Sequence, residues 1–377
     1  MKKTIMAAIA LAALACGSLS AQAQDTWYFG ALGPLTGNAA QYGAQWKKGF
    51  DLALEEINGA GGVRGHKLAY LFEDTQNDPK QTTAVAQKLV SDPRVLVAVG
   101  DFSSTASMAG SPIFQRNGLV QLGITNSHPK FTDTGDYIWS NSLSTIDTEF
   151  LTAKYAADLG FKKVAVLHLN TDWGKNASDN LIAALERLGL EVVSREGYLE
   201  TETNFRSIFT RIRLKRPEAI VLESYYTDAA LIAQQVRSSG LNLPIVANAS
   251  NHSPKFVELG GKAAEGVYVS SSFLVDDPQP RVKRYVDTFK SKYGEAPDLF
   301  ATVAYDGVYV IASALKEAGA DRAKIKAAFS TITDIPSVIF GPVRFNPQTR
   351  RFDDPKGAQL VVKNGLFVPW DGSKPTK

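Results

Sequence analysis

Short apolar runs alternate with amphipathic stretches along most of this chain, and the alternation limits the folds that it can adopt. In the first half the apolar runs cover residues 27–32, 68–72, 95–99 and 119–122. Between them lie stretches with helical spacing, such as 42–57, where apolar residues recur every three or four positions. Strands that alternate with helices in this way predict an α/β fold with parallel sheets covered on both faces.

The same rhythm starts again in the second half of the chain. Apolar runs at residues 164–169, 191–194, 219–222 and 245–247 alternate with predicted helices at 176–188, 205–212 and 228–238. A chain of 377 residues is too long for one core. We therefore expect two doubly wound parallel-sheet lobes.

The last hundred residues follow a different pattern. Residues 281–293, 302–318 and 325–329 have helical spacing, and four brief strand signals follow at 338–340, 343–345, 360–362 and 366–368. Gly341-Pro342 separates the first two signals, and Asn364-Gly365, a typical hairpin turn, separates the last two. Such a tail is too small for a third domain, so we expect it to pack on the first two.

The N-terminus has the organisation of a secretory signal. Met1-Lys2-Lys3 is positively charged, residues 5–15 are apolar, and Ala21-Gln22-Ala23 is a cleavage signal. The apolar run is shorter than the roughly 20 residues that span a bilayer. We expect residues 1–23 to be removed and the mature protein to be periplasmic. An alternative makes Cys16, the single cysteine, a lipid-anchored N-terminus. We expect no later stretch to span a membrane.

Charge and motif content favour binding over catalysis. Lys and Arg number 41 and Asp and Glu 38, so no basic surface for nucleic acid or anionic lipid is expected. The four histidines, His66, His128, His168 and His252, lack metal-ligand spacing, and no G-x-S-x-G nucleophile motif occurs. We therefore predict no enzyme activity, no metal and no cofactor, and a monomer by default.

Several short motifs agree in order and spacing with one known family. They are Gly33-Pro34-Leu35-Thr36-Gly37, Gln41-Tyr42-Gly43, Gly61-Gly62-Val63-Arg64-Gly65, Asp74 with Asp78-Pro79, Val99-Gly100 with Ser103-Ser104, Ala264-Glu265-Gly266 and Ala304-Tyr305-Asp306. With these motifs the chain resembles the branched-chain amino-acid binding proteins, which are type I periplasmic binding proteins of the Leu/Ile/Val type. The resemblance extends from about residue 27 to residue 370.

The resemblance implies two lobes joined by a three-strand hinge, with the ligand cleft between them. The expected crossings lie near residues 144–147, 272–275 and 344–346. Lobe 1 would comprise residues 24–143 plus 275–343, and lobe 2 residues 144–274 plus 344–377. A cleft at the carboxyl ends of parallel strands is where open α/β sheets bind ligands.

The resemblance also implies where the ligand is held. Ser104, next to Ser103, would bind a ligand carboxylate at the start of a helix, where the helix dipole is positive, although it could simply cap that helix. Asn126 would offer its carbonyl and Ser127 its hydroxyl, unless the two form an ordinary turn. Aromatic walls would come from Tyr42, Phe102, Trp173 and Tyr225, with Tyr42 equally suited to the core.

One departure from the family pattern leaves the ligand class open. The Leu/Ile/Val receptors carry a Glu for the ligand ammonium where this chain has Ala249. Because a buried ammonium needs compensation, either Glu223, Asp228 or Asp306 replaces that Glu, or the ligand has no ammonium. Asp306 could instead have a structural role.

The resemblance predicts a periplasmic binding component of an ABC importer. It would close on a small neutral amino acid, of the branched-chain or another apolar type, and deliver it to permease subunits in the inner membrane. Three alternatives remain: an aromatic acid, another small carboxylate or an amide as ligand; a ligand sensor with the same fold; and an exported enzyme, for which the sequence supplies no clear general base.

Overall fold

The computed structural model describes residues 26–352 and 356–375. The predicted signal peptide, its cleavage site and Cys16 lie outside the described residues. The strands form two separate sheets, one of five strands and one of seven. We call lobe 1 the first sheet with the helices packed on it, and lobe 2 the second sheet with its helices. The α/β prediction with two lobes is confirmed.

Lobe 1 contains a fully parallel sheet with the strand order β2-β1-β3-β4-β5. Its strands are β1 (Thr26–Gly33), β2 (Lys67–Asp74), β3 (Val95–Gly100), β4 (Gln121–Gly123) and β5 (Ile138–Ser140). The helices between them are α1 (Ala40–Gly59), α2 (Pro79–Ser91), α3 (Ser104–Arg116) and α4 (Lys130–Asp133). The strand β3 is buried along its whole length, as expected for a strand covered on both faces.

Lobe 2 repeats this order and adds a hairpin. Its strands are β6 (Lys163–Leu169), β7 (Glu191–Tyr198), β8 (Ala219–Glu223), β9 (Ile245–Ala247), β10 (Tyr268–Ser271), β11 (Ala358–Lys363) and β12 (Leu366–Pro369). Its helices are α5 (Thr145–Asp158), α6 (Asp172–Arg187), α7 (Arg206–Lys215), α8 (Tyr226–Ser238) and α9 (Pro254–Gly260), with 3₁₀ turns at Ala249–Asn251 and Gly261–Ala263. The sheet order is β12-β11-β10-β9-β8-β6-β7, in which β11 is antiparallel to both neighbours.

Both parallel sheets therefore reverse their winding direction at equivalent places. In lobe 1 the reversal lies between β1 and β3, and in lobe 2 between β6 and β8. Ligands of doubly wound sheets bind outside the carboxyl ends of the strands at this reversal. The topology thus marks one expected ligand position in each lobe, at the carboxyl ends of the strands beside the reversal.

Three later helices return to lobe 1, namely α10 (Pro280–Tyr293), α11 (Leu299–Ala318) and α12 (Arg322–Thr331). The helix α11 crosses α1 closely, because Gly49 on α1 allows the backbone of Ala301 to approach. By length and composition α11 could cross a membrane, contrary to the expectation for the mature chain, but 78% of its most apolar 18-residue stretch is buried inside the protein. The helix α11 is therefore the central, buried helix of lobe 1.

The chain passes between the lobes three times, and the third passage lies later than expected. The first two fall between Ser140 and Thr145 and between Ser271 and Pro280. The segment 344–352 stays on lobe 1, where the backbone of Arg351 bridges to Ser140 and the ring of Phe345 contacts Trp139. The passage therefore follows this segment instead of lying at residues 344–346. The residue boundaries given above for lobes that move as rigid units remain a prediction.

Two of the four strand signals in the tail are wrong. Residues 338–340 form a turn, and Val343 makes only an isolated bridge with Ile335. The other two form the antiparallel pair β11–β12, and Asn364 and Gly365 have the positive φ angles of a hairpin turn.

Candidate functional site

A cavity of about 100 Å³ lies between the two lobes. On the same scale a water molecule needs roughly 10–15 Å³, so the cavity has room for a small organic molecule. The side chains that line it come from both lobes: Phe102, Ser103, Ser104, Ile124, Thr125, Ser127, Asn141, Ser142, Leu143, Thr148, Glu149, Trp173, Tyr225, Asn248, Ala249, Ser250, Ser272, Leu299, Phe300, Val303, Ile339 and Phe340.

Helix α3 begins at the floor of this cavity, directly after strand β3. Ser103 is its N-cap, and its hydroxyl accepts a hydrogen bond from the backbone N–H of Ala106 at 3.1 Å. The hydroxyl oxygen of Ser104 accepts from the backbone N–H of His128 at 3.1 Å, which leaves its own proton free to be donated. A helix start with free N–H groups and a hydroxyl donor is suited to a ligand carboxylate.

Two aromatic rings from lobe 2 cover the cavity. Trp173 lies in the first turn of helix α6, after β6, and Tyr225 directly precedes α8, after β8. Their rings stack with centroids 5.0 Å apart. From lobe 1, Phe102 meets Tyr225 edge to face at 5.4 Å. The walls are therefore flat and apolar, and they leave the polar floor facing the ligand space.

Hydrogen bonds between the lobes hold the cleft closed. On one side Trp173 donates from its indole N–H to the Ser127 hydroxyl at 3.0 Å. On the other side the hydroxyl of Tyr226 donates to the carbonyl of Asn38 at 2.6 Å, and that of Tyr42 donates to the carbonyl of Ser250 at 2.9 Å. The structure is thus the closed arrangement of the two lobes.

Three residues predicted for the site do not line the cavity. Tyr42 lies one layer behind, stacked on Phe102 at 3.8 Å, and is fully buried. The carbonyl of Asn126 already accepts from Arg351 at 2.6 Å, and its amide donates to Ser107 at 2.7 Å. The backbone carbonyl and the side-chain NH₂ group of Asn126 are therefore used within lobe 1, so the expectation that its backbone carbonyl faces the ligand does not fit the geometry.

Asp306 is also absent from the cavity, because its carboxylate holds a turn in lobe 1. It accepts from the hydroxyl of Ser337 at 2.5 Å and from the backbone N–H of Val338 at 2.8 Å. This arrangement corresponds to the structural alternative considered for Asp306. The other predicted residues, Phe102, Ser103, Ser104, Ser127, Trp173, Tyr225 and Ala249, are brought together around the cavity.

The structure adds an acidic residue that the sequence reasoning missed. Glu149, on helix α5, lines the cavity and is 2% exposed. Burial raises the pKa of Glu149 to about 7, against hydrogen bonds from Thr148 and Thr152 that favour its charged form. The buried face of α5 is made of residues at helical spacing, namely Thr145, Glu149, Thr152 and Ala156. A single acidic residue among small ones on such a face is the sequence feature that could have indicated Glu149.

The carboxylates considered as replacements for the family's Glu lie in different places. Glu223 ends strand β8 and is fully buried beside Glu149. Asp228 lines a separate cavity between the lobes together with Glu200 and Asp78, where burial raises its pKa to about 7. Ala249 itself is part of the cleft wall.

The cleft carries almost no formal charge. Among the described residues that line it, Glu149 is the single carboxylate and none is Lys, Arg or His. Nowhere in the described part of the chain do three or more His, Cys, Asp or Glu side chains meet as metal ligands would. Recognition of a ligand therefore rests on hydroxyls, amides, one helix start, aromatic rings and one acid.

Comparison with known proteins gives a consistent result. The model of the periplasmic binding protein family matches residues 26–363. A leucine-, isoleucine-, valine-, threonine- and alanine-binding protein from Pseudomonas aeruginosa is 27% identical over 336 residues, covering 87% of this chain and 88% of that protein.

Solved structures agree with the fold. The branched-chain amino acid transporter substrate-binding protein of Streptococcus pneumoniae, in complex with isoleucine, has a TM-score of 0.84 at 26% identity, covering 91% of this chain and 98% of its own. A solute-binding protein of an ABC transporter from Rhodopseudomonas palustris, in complex with 3,4-dihydroxybenzoic acid, has a TM-score of 0.81 at 22% identity, covering 91% and 95%. At that identity the second likeness concerns the fold alone.

Proposed function

Because the chain belongs to the periplasmic binding protein family, we propose that it is the substrate-binding component of an ABC importer that closes on a small neutral amino acid. The relatives are substrate-binding proteins, so the chain is a binding protein and not an enzyme. The proposal includes export by the signal peptide at residues 1–23 and delivery of the ligand to inner-membrane permease subunits.

One observation carries this proposal: the closed cavity joins a helix start to an aromatic cover. The start of α3 with Ser104 suits the carboxylate of an amino acid. Trp173, Tyr225 and Phe102 offer apolar area for an uncharged side chain. Apart from Glu149, no described residue that lines the cavity has an ionisable side chain of the kind that would select a charged ligand tail. The lobe-to-lobe bonds then complete the enclosure, as hinge closure requires.

A thermal-shift panel tests the proposal. The chain from residue 24 onward is purified, stripped of bound ligand by partial unfolding, and melted with neutral, acidic and basic amino acids, amides and aromatic carboxylates. A ligand at a hundred times its Kd stabilises the folded state by about 2.7 kcal/mol. We expect a rise in Tm on the order of 5 °C with a neutral apolar amino acid.

Matched variants localise the effect. Trp173→Ala removes a cavity wall and is expected to lose the ligand-induced rise. Trp27→Ala, which alters an aromatic contact with His66 away from the cavity, is expected to keep it. No rise with any amino acid would overturn the proposal. A rise confined to carboxylates without an amine would favour the alternative ligand class, an aromatic or other small carboxylate. The alanine at position 249 keeps that class open.

A further inference from the structure

Two buried carboxyl groups lie side by side in lobe 2 at the edge of the cleft. Glu149 reaches the cavity from α5, and Glu223 lies behind it at the end of β8, with exposures of 2% and 0%. They are close enough to share a hydrogen bond when one carries a proton. Apart from Glu149, the amide of Asn248 is the one side chain near enough to favour the charged form of Glu223, and neither carboxyl oxygen has a well-formed hydrogen bond within the described part of the chain.

Within the part of the chain that the structure describes, the elements packed on this pair supply no compensating positive charge. Helix α5 packs against α6, β9 and β10. The strands β9 and β10 carry no charged side chain, and the charged residues of α6 are all exposed: Asp172, Lys175, Asp179, Glu186 and Arg187. His252, near β10, is bonded to Ser271, and burial lowers its pKa to about 4, so it is neutral. On the side of Glu223, strand β6 places His168 in register with it, and burial lowers the pKa of His168 too, so this ring is also uncharged near neutral pH.

A pair of this kind cannot hold two negative charges. Burial, followed by the neighbouring carboxyl group, raises the pKa of Glu223 well above its usual range. Two adjacent buried carboxyls bind at least one proton near neutral pH, because like charges at contact are strongly unfavourable. Glu149 alone of the two is accessible from the ligand space.

We propose that Glu149, backed by Glu223, is the subsite for the positively charged amine of the ligand, and that ligand binding expels one proton from the pair. This inference rests on the proposed function, since it assigns the ammonium of the same ligand. The ligand keeps its own proton as an ammonium group, while the carboxyl proton leaves to solvent. The pair thereby supplies the negative charge that the Leu/Ile/Val receptors place at the position of Ala249.

The geometry of the cavity supports a ligand that lies across it. The start of α3 and Glu149 line the same cavity, the first from lobe 1 and the second from lobe 2. A zwitterion can place its carboxylate at the first and its ammonium at the second. Each end would then favour closure of the lobes.

The proposal predicts a specific pH dependence. Below pH 7 both carboxyl groups of the ligand-free pair are protonated, so binding must release a proton. In this range the ligand affinity therefore falls by on the order of tenfold for each unit by which the pH is lowered. Above pH 7 the pair already holds one negative charge, so release and pH dependence fade. The ligand affinity thus rises with pH, whereas the affinity of a ligand held by a protonated group would fall with pH.

Calorimetry with paired probes tests the inference. The pairs are L-isoleucine with 3-methylpentanoate and L-phenylalanine with 3-phenylpropanoate, each measured at pH 5.5 and 8.5 in two buffers of different ionisation enthalpy. We expect binding only by the amine-bearing member of a pair, with about one proton released at pH 5.5 and almost none at pH 8.5.

Three variants separate the carboxyl pair from other acids. Glu149→Gln is expected to lose on the order of a hundredfold in affinity and all proton release. Glu223→Gln keeps Glu149 on the wall, so binding persists while proton release shifts to lower pH. Asp228→Asn, in the neighbouring cavity, is expected to change neither. Circular dichroism verifies that each variant is folded.

The outcomes distinguish failure of the amine subsite from failure of the proposed amino-acid binding function. Equal affinity for the members of a pair, or unchanged affinity and pH dependence in Glu149→Gln, overturns the amine subsite and leaves a small-molecule binding protein. Loss of affinity in Asp228→Asn alone moves the amine to the other cavity and also overturns it. If no probe of either kind binds, the proposed amino-acid function fails together with the inference.

Discussion

Asp306 is a buried acid whose partners lie within its own lobe. Its carboxylate receives bonds from the hydroxyl of Ser337 and the backbone N–H of Val338, which close the turn at residues 337–340. Burial nevertheless raises the pKa of Asp306 to about 7, since these bonds offset only part of the cost of removing a charge from water. The residue therefore links helix α11 to the tail of the chain.

Replacing Asp306 separates stability from binding. Asp306→Ala leaves the Ser337 hydroxyl and the Val338 N–H without their acceptor, so we expect a loss of about 1–3 kcal/mol in the free energy of unfolding. Ligand affinity should fall much less than in Trp173→Ala, because Asp306 lies outside the cavity and acts on it only through the turn that carries Ile339 and Phe340. Urea unfolding and calorimetry measure the two quantities. A large loss of affinity with unchanged stability would contradict the structural role.

Residues of the cleft differed in how well the sequence could place them. Ser104, Trp173 and Tyr225 follow strands directly, and position at a strand end is visible in an apolar pattern. Asn126 could not be placed, because its carbonyl is taken by Arg351, 225 positions later in the chain. Glu149 follows no strand, since it enters the cleft from the second turn of a helix.

The crossing of α1 and α11 shows how one missing side chain determines helix packing. A Cβ atom at Gly49 would lie 2.2 Å from the carbonyl oxygen of Ala301 and 3.0 Å from the Cβ of Ala304. Both neighbours belong to α11, the central helix of lobe 1. The two helices approach so closely only because position 49 lacks a side chain.

We expect Gly49→Ala to destabilise the protein by about 1–3 kcal/mol, because the helices must move apart to admit one methyl group. Gly59→Ala, at the end of the same helix with nothing within 4 Å, is the control and should be neutral or slightly stabilising. Thermal unfolding of both variants provides the comparison. Equal Tm values for the two would show that the crossing is not tight.

Elements with a clear apolar pattern could be predicted, and short polar ones could not. The helices α1, α3 and α11 and the strands β1, β3 and β6 are visible as apolar patterns, and so are the three-residue strands β4 and β9. The strands β5 and β10 are equally short but end in serine, so they do not form an apolar run. Helix α5 was missed because its buried face begins with Thr145 and Glu149 instead of apolar residues. Residues 338–340 resembled a strand but form the turn held by Asp306.

Across the molecule, closure depends on a small number of polar contacts. Tyr226, Tyr42 and Trp173 provide hydrogen bonds between the lobes on both sides of the cavity. Each such bond contributes only about 0.5–1.5 kcal/mol net. Since the lobes must also lose their freedom to separate, a ligand in contact with both of them is expected to set the balance between the open and closed forms.

Small-angle X-ray scattering measures this balance most directly. The chain from residue 24 onward is stripped of ligand and its radius of gyration is measured alone and with the ligand that raises Tm most in the panel. We predict that the radius decreases on saturation to the value calculated for the closed structure, and that Trp173→Ala requires more ligand for the same change. A radius that is identical with and without a stabilising ligand would contradict closure of the two lobes on a small molecule.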